Sequence, residues 1–281
     1  MGDRPTVLLE GLTFPEGPRW RDGRLWFSDF YAHEVVAVDL AGRRETIVEV
    51  PGQPSGLGWT PDGRLLVVSM TDRRLLRLDP DGLVEGADLS ELAAWHCNDM
   101  VVDGEGRAYI GNFGFNSHAG EEFRPADLIR VDPDGGAAIA ATGLAFPNGT
   151  VITPDGGTLI VGETRGNCLT AWDRAPDGSL HDRRVWADLG GNFPDGICLD
   201  AEGAVWVADP RNRETIRVRE GGEVLARIST GEMGSYACML GGEHRRTLFI
   251  CTCQQSGPGT AELRSGRIEF VEVEAPGAGW P

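Results

Sequence analysis

Six times along this 281-residue chain a short apolar strand follows a tight turn, at nearly even intervals. The copies begin with Asp22-Gly23-Arg24-Leu25-Trp26-Phe27 and Asp62-Gly63-Arg64-Leu65-Leu66-Val67. They continue with Gly106-Arg107-Ala108-Tyr109-Ile110, Asp155-Gly156-Gly157-Thr158-Leu159-Ile160 and Gly203-Ala204-Val205-Trp206-Val207. The last, Arg246-Thr247-Leu248-Phe249-Ile250, keeps the strand without the glycine. With Leu25, Leu65, Ala108, Leu159, Val205 and Leu248 as landmarks, the spacings are 40, 43, 51, 46 and 43. That is the period of a propeller blade.

Each period holds room for four strands. One precedes the turn, as in Pro15 to Trp20 and Pro194 to Leu199. An alternating strand follows the landmark, at Val35–Asp39, Leu75–Asp79, Leu128–Asp132, Leu169–Asp173, Thr215–Val218 and Ile268–Val271. Alternation marks a strand with one covered face. A fourth strand is expected at Thr46–Val50, Leu83–Leu89, Ala137–Leu144, Arg184–Leu189 and Val224–Ile228. Its sixth copy is missing after Val271, and Thr6 to Leu12 has the matching pattern at the other end of the chain. The expectation is an all-β, six-bladed propeller forming a single domain over 1–281, with the N-terminal strand closing the last blade. Such closure pairs an edge that would otherwise be open to aggregation. A sandwich or jelly roll would not require six equal periods or a displaced strand.

Composition narrows the function. A net charge of −17 opposes binding to a phosphate backbone, so no nucleic-acid partner is expected. No apolar run approaches the ~18 residues of a membrane span. Residues 1–10 show no signal-peptide pattern, which makes cytoplasmic the expected location. Met1-Gly2 with Thr6 fits a short acylation pattern, but the apolar residues there read better as a strand. The six cysteines, Cys97, Cys168, Cys198, Cys238, Cys251 and Cys253, form no CxxC pair and are expected as reduced thiols. A monomer or weak homo-oligomer acting on a small molecule is the expected state.

Aligning the repeats shows what each blade presents at one place. At the start of the first strand stand Glu16, Ser55, Asn98, Asn148, Asp195 and Ala237. In a propeller this strand lines the channel, so these residues are expected around one mouth. Two carboxylates ~5 Å apart at an effective dielectric near 20 repel by about 3 kcal/mol. A proton or a divalent cation would relieve that repulsion. An oxygen-only set favours Ca²⁺, Mg²⁺ or Mn²⁺ over structural zinc, and leaves positions open for water or substrate. Asp29, Ser69, Asn112, Glu163, Asp209 and Thr252, four residues beyond each landmark, are expected as a second ring that orients ligands or touches substrate. Turn chemistry is the plainer explanation for Asn148-Gly149 and Asp195-Gly196, but it does not account for Glu16.

Phe14-Pro15-Glu16-Gly17-Pro18-Arg19-Trp20, Cys97-Asn98-Asp99, Phe146-Pro147-Asn148-Gly149 and Phe193-Pro194-Asp195-Gly196 fall in successive blades. In this order they resemble the gluconolactonase/regucalcin (senescence marker protein) family, over nearly the whole chain. The resemblance implies one divalent metal held by Glu16, Asn148 and Asp195, with Asn98 contacting substrate or sitting beside the metal. Ca²⁺ is the first candidate, ahead of Mn²⁺, Mg²⁺, Zn²⁺ or Fe²⁺. It implies hydrolysis of a sugar lactone or other small lactone or ester, with Asp195 and Asn98 as catalytic residues. Phosphotriester hydrolysis or another metal-assisted reaction on the same scaffold, such as isomerisation or cyclisation, and non-enzymatic calcium binding are the alternatives. Two positions depart from the family pattern. His96 stands where sugar-lactone members often carry Arg, and Pro147 where Ser is frequent, so a less polar substrate stays open. Contacts to substrate are expected from Asn98, His96 and Glu163, and from Phe113 and His118 in the long insertion between Gly111 and Asp127.

Overall fold

The computed structural model describes residues 4–279, so the acylation pattern at Gly2 lies outside the described residues. Six four-stranded antiparallel sheets succeed one another along the chain. Their first strands are Pro15–Arg21, Pro54–Trp59, Cys97–Val102, Pro147–Ile152, Ile197–Leu199 and Gly234–Gly241. Each packs against the first strand of the next blade, and the sixth returns to the first, so these strands wall a closed central channel. The sixth sheet takes its outermost strand from the other end of the chain. Thr6–Leu12 runs antiparallel to Gly266–Glu272, from Thr6↔Phe270 to Leu12↔Gly266. Among the described residues, no helix is long and apolar enough to cross a membrane.

The core lies between blades. Phe27 and Val36 of blade 1 pack with Leu248, Phe249 and Ile250 of blade 6 and with Leu12 of the closing strand. Each such side chain contributes about 1.5–3 kcal/mol when fully buried. Blade-to-blade packing therefore helps hold the ring closed. Trp20 stacks on Phe249 across this seam, ring centroids 5.4 Å apart.

Glycine after the channel-facing residue lets neighbouring blades approach. A Cβ on Gly149 would lie 2.3 Å from Ile197 N, and one on Gly196 would lie 2.5 Å from Ala237 Cβ. The approach permits backbone bonds between blades, Gly149 N to Asp195 O at 3.0 Å and Gly196 N to Tyr236 O at 2.7 Å. Asn148-Gly149 lies inside a strand rather than in a turn.

At the far end of the channel, residues 276–278 tie blades 5 and 6 together. Ala201 N donates to Pro276 O, Gly277 N to Arg245 O and Ala278 N to Leu199 O.

Candidate metal centre

The channel-facing positions are set by a bulge. Where the first strand meets the second, one extra residue enters the ladder in five blades. The shifts fall between Glu16 and Arg19, Pro54 and Leu57, Cys97 and Met100, Pro147 and Thr150, and Ser235 and Ala237. A bulge bends the strand and re-aims the extra residue. The register also corrects one position. Pro54↔Ser69, Cys97↔Asn112, Pro147↔Glu163 and Ser235↔Thr252 are equivalent pairs, and the channel-facing residue follows the first of each. The sixth member is therefore Tyr236. Ala237 stands at the close-approach glycine position. Blade 6 lacks the X-Gly dipeptide that marks the place elsewhere, so the sequence offset slipped by one.

Five oxygen-bearing side chains come together at this mouth. Asn98 Nδ2 donates to Asn148 Oδ1 at 3.0 Å, and Ser55 Oγ donates to Asn98 Oδ1 at 3.3 Å. Asn148 Nδ2 donates to Thr164 Oγ1 at 3.4 Å, and the Asn148 carboxamide lies close enough to Asp195 to lower that carboxyl's proton affinity. Glu16 accepts from its neighbour Gly17 N at 2.9 Å. Glu16, Asn98 and Asn148 are only 8%, 5% and 6% exposed, whereas Asp195 keeps a partly open face. Asp195 thus lies in deep surroundings with one side reachable by solvent.

Electrostatics at the mouth are unfavourable without a counter-charge. Burial pushes the Glu16 carboxyl well above its usual range, and the Asp195 charge pushes it further, against the Gly17 bond. Burial likewise raises Asp195, with Asp99 and Asp209 adding to the shift and the Asn148 carboxamide opposing it. Two carboxylates held this way take up a proton or a cation.

The donor chemistry fits a hard divalent cation. Two carboxylates, two carboxamides and one hydroxyl supply oxygen alone. Among the described residues no three His, Cys, Asp or Glu side chains form a metal cluster. A centre here depends on carboxamide oxygen from Asn148, which a half turn of the amide presents in place of nitrogen.

Four members of the expected second ring bond the segments that lead into the mouth. Asp29 accepts from Thr13 N at 3.0 Å and Phe14 N at 2.7 Å. Asp209 accepts from Phe193 N at 3.0 Å and Asn192 Nδ2 at 2.8 Å. Glu163 accepts from Ala145 N at 2.6 Å, Thr170 Oγ1 at 2.5 Å and Arg183 at 3.0 Å. Asn112 bonds Gly114 N and Asp127 O at the two ends of the insertion. These four brace the segments that lead into the mouth. Glu163 is accordingly not gathered with Glu16, Asn98, Asn148 and Asp195.

The remaining expected contacts sit around the rim. Phe113 stacks on Phe146 at 4.8 Å and packs against a buried cluster of Phe14, Phe30, Met70, Tyr236 and Cys253. Tyr236 meets Phe14 edge-on at 4.7 Å. His96 is half-buried and stacked on Trp95, and burial, Arg73 and His118 together lower its basicity. His118 is exposed, and its ring lies against Gly257. The insertion from blade 3 therefore reaches the loop of blade 6 on the opposite side of the ring. Arg19 and Asp99, a buried pair in the channel wall, were not singled out by sequence. Their signal was a charge at places that are uncharged in the other five blades.

Fold and site together define a six-bladed propeller whose channel mouth gathers carboxylates and carboxamides. Residues 14–254 match the SMP-30/Gluconolactonase/LRE-like region, and the chain belongs to that family. It is 27% identical to a 6-deoxy-6-sulfogluconolactonase of Pseudomonas putida, over 98% of this chain and 96% of that protein. A calcium-binding regucalcin structure from Agrobacterium tumefaciens superimposes with a TM-score of 0.83 at 22% identity, over 100% and 97% of the two chains. A gluconolactonase structure from Xanthomonas campestris gives 0.74 at 25% identity, over 96% and 89%.

Proposed function

We propose that this protein is a divalent-cation-dependent hydrolase of small lactones or esters, working at the channel mouth. The observation supporting this most directly is the meeting of Glu16, Asn98, Asn148 and Asp195 from four separate blades. Similarity to a sulfogluconolactonase along nearly the whole chain supports the lactone class.

Glu16, Asn148 and Asp195 would hold the cation, with Ca²⁺ the first candidate. Once bound, it would supply Lewis-acid polarisation of the substrate carbonyl. Asp195 has an open face toward solvent that suits a general base. It takes a proton from the attacking water as the acyl carbon–oxygen bond of the ring breaks. The proton then passes to the departing ring oxygen, leaving a hydroxy acid. Asn98 Nδ2 is the donor that would orient the carbonyl or ring oxygen. General-base assistance of this kind is worth about 10²–10⁴-fold.

Phe113 of the insertion packs against the buried Phe14, Met70 and Tyr236. With His96 in the place of a family Arg, it supports a lactone less polar than an aldonolactone. Glu163 is assigned to bracing rather than substrate contact.

The test is a panel of aldonolactones, alkyl lactones, esters and an organophosphate, each assayed with Ca²⁺, Mn²⁺, Zn²⁺ and Fe²⁺. Asp195→Ala should abolish turnover and weaken cation binding together. Asn98→Ala should lower turnover with the cation still bound. Cation binding without turnover of any substrate would replace the hydrolase reading with simple cation binding.

A further inference from the structure

Each candidate cation ligand follows a phenylalanine and a proline: Phe14-Pro15-Glu16, Phe146-Pro147-Asn148 and Phe193-Pro194-Asp195. The three rings have different company. Phe14 packs among Phe30, Tyr31 and Tyr236. Phe193 carries the Arg211 guanidinium 4.3 Å from its centroid. Phe146 meets Phe115 at 6.0 Å, and the Arg165 guanidinium lies 5.6 Å over the Phe115 ring. Blade 1 thus surrounds its phenylalanine with rings, and blades 4 and 5 add guanidiniums.

Both arginines are exposed and belong to loops at the mouth. The second strand of a blade ends beside the start of the first, as in Pro147↔Glu163, so the loop after it lies at that end. Arg165 follows Thr164, whose hydroxyl donates to Pro194 O at 2.6 Å and accepts from Asn148 Nδ2 at 3.4 Å. Arg165 N donates to Ala145 O and Arg211 N to Asp209 Oδ1, each at 3.0 Å, so both backbones are held. Of Glu16, Asn148 and Asp195, only Asp195 keeps a face open to solvent, and Phe193 under Arg211 stands two residues before it.

Among the described residues neither guanidinium has a hydrogen bond or an ion pair, in a chain with 43 acidic and 26 basic residues. Glu163 and Asp209, the buried acids beside these loops, are bonded elsewhere: Glu163 to Arg183, and Asp209 to Asn192 and Asn212. Stacking uses the face of a guanidinium and leaves its in-plane N–H donors free, a fork that matches an oxyanion.

We propose that Arg165 and Arg211 form an oxyanion-binding edge beside Asp195, and that the favoured lactone or ester carries a carboxylate or like acidic group. The inference deepens the hydrolase reading above and rests on it. The reacting ring can be poor in hydroxyls while its charge is read at the outer edge. The mouth carboxylates and the overall charge of −17 would repel an anionic substrate, so its recognition needs local positive charge of this kind.

The γ-carboxylate of γ-butyrolactone and the matching carboxamide share one ring and test the proposal on the full chain. Wild type should show a kcat/KM about tenfold or more higher for the carboxylate. Arg165→Gln and Arg211→Gln should each lower the carboxylate value by about threefold to tenfold and leave the carboxamide within about twofold. Raising the ionic strength should shrink the preference. Equal loss on both lactones would give the arginines a structural role and overturn the proposal. Calorimetry with cyclopentanecarboxylate, which cannot be hydrolysed, separates binding from turnover. If neither lactone reacts and this anion still binds, more weakly in both variants, the hydrolase reading fails and the edge stands. Hydrolysis with no preference for the carboxylate, or with a preference that both substitutions leave intact, overturns the edge and keeps the hydrolase. A wild type that neither hydrolyses the lactones nor binds the anion overturns both.

Discussion

Replacing Gly149 by alanine should damage the ring and the cation site together. The new Cβ would lie 2.3 Å from Ile197 N and 2.8 Å from both Asp195 O and Gly196 C, whereas ordinary contact begins near 3.4 Å. The first strands of blades 4 and 5 must then part by about 1 Å. Forced overpacking of this kind costs about 1–3 kcal/mol. The bond from Gly149 N to Asp195 O, 3.0 Å in the parent, would pass out of range and add about 1 kcal/mol. A total of about 2–4 kcal/mol corresponds to a fall in Tm of roughly 4–16 °C for a domain of this size. Because the parting strands carry Asn148 and Asp195, Ca²⁺ affinity should fall as well. Gly191→Ala is the control, since its Cβ meets nothing within 4 Å and its φ is unstrained. It should stay within about 0.5 kcal/mol of wild type. Thermal melts and calorimetry on the two variants decide the matter. If Gly149→Ala melts with Gly191→Ala and binds Ca²⁺ as the parent does, close approach between blades does not place the site.

In protein stripped of divalent ions, Glu16 and Asp195 hold protons well above their ordinary range, so the folded state binds more protons than the unfolded one. Their contribution is fully present below the unfolded values of about 4 and is lost as pH rises through the raised folded values. The Tm of wild type minus that of Glu16→Gln should therefore fall as pH rises above the ordinary carboxylate range and flatten with saturating Ca²⁺; a flat difference without the cation would contradict the electrostatic account. Glu163→Ala leaves Ala145 N unpaired and removes the bonds from Thr170 Oγ1 and Arg183, which should cost about 1–3 kcal/mol while Ca²⁺ affinity holds. A raised KM with unchanged Tm would instead return Glu163 to substrate contact.

The ring was legible because one period governs strand order, turn chemistry and apolar patterning at once. The closing strand was legible from a deficit, since the sixth blade lacked its fourth strand and Thr6–Leu12 matched it. Equivalent positions were readable wherever X-Gly survived. Blade 6 replaces that dipeptide with Tyr236-Ala237, and the bulge decides which residue points inward. Asp29, Glu163 and Asp209 share a position and a polarity, which sequence cannot separate from a contact with ligand. Only their partners, backbone N–H groups of the incoming segments, reveal the bracing role. The ties made by residues 276–278 were invisible for another reason. They consist of backbone hydrogen bonds, and Ala-Pro-Gly-Ala-Gly has no side-chain pattern to announce them.

Closure and chemistry use the same few residues, and this limits how either can vary. Each of Asn148 and Asp195 precedes a glycine whose N–H bonds the carbonyl of the next channel-facing residue, Asp195 and Tyr236 in turn. The spacing of the ligand candidates is thus set by blade-to-blade hydrogen bonds within a closed ring, which deform far less readily than a loop would. A cation held by Glu16, Asn148 and Asp195 would join blades 1, 4 and 5 and act on the same seams. At a hundred times its Kd, such a ligand stabilises the folded state by about 2.7 kcal/mol, comparable to the cost of separating two of those strands. Loosening the ring should weaken the site, and filling the site should tighten the ring, because both depend on how closely neighbouring first strands can approach.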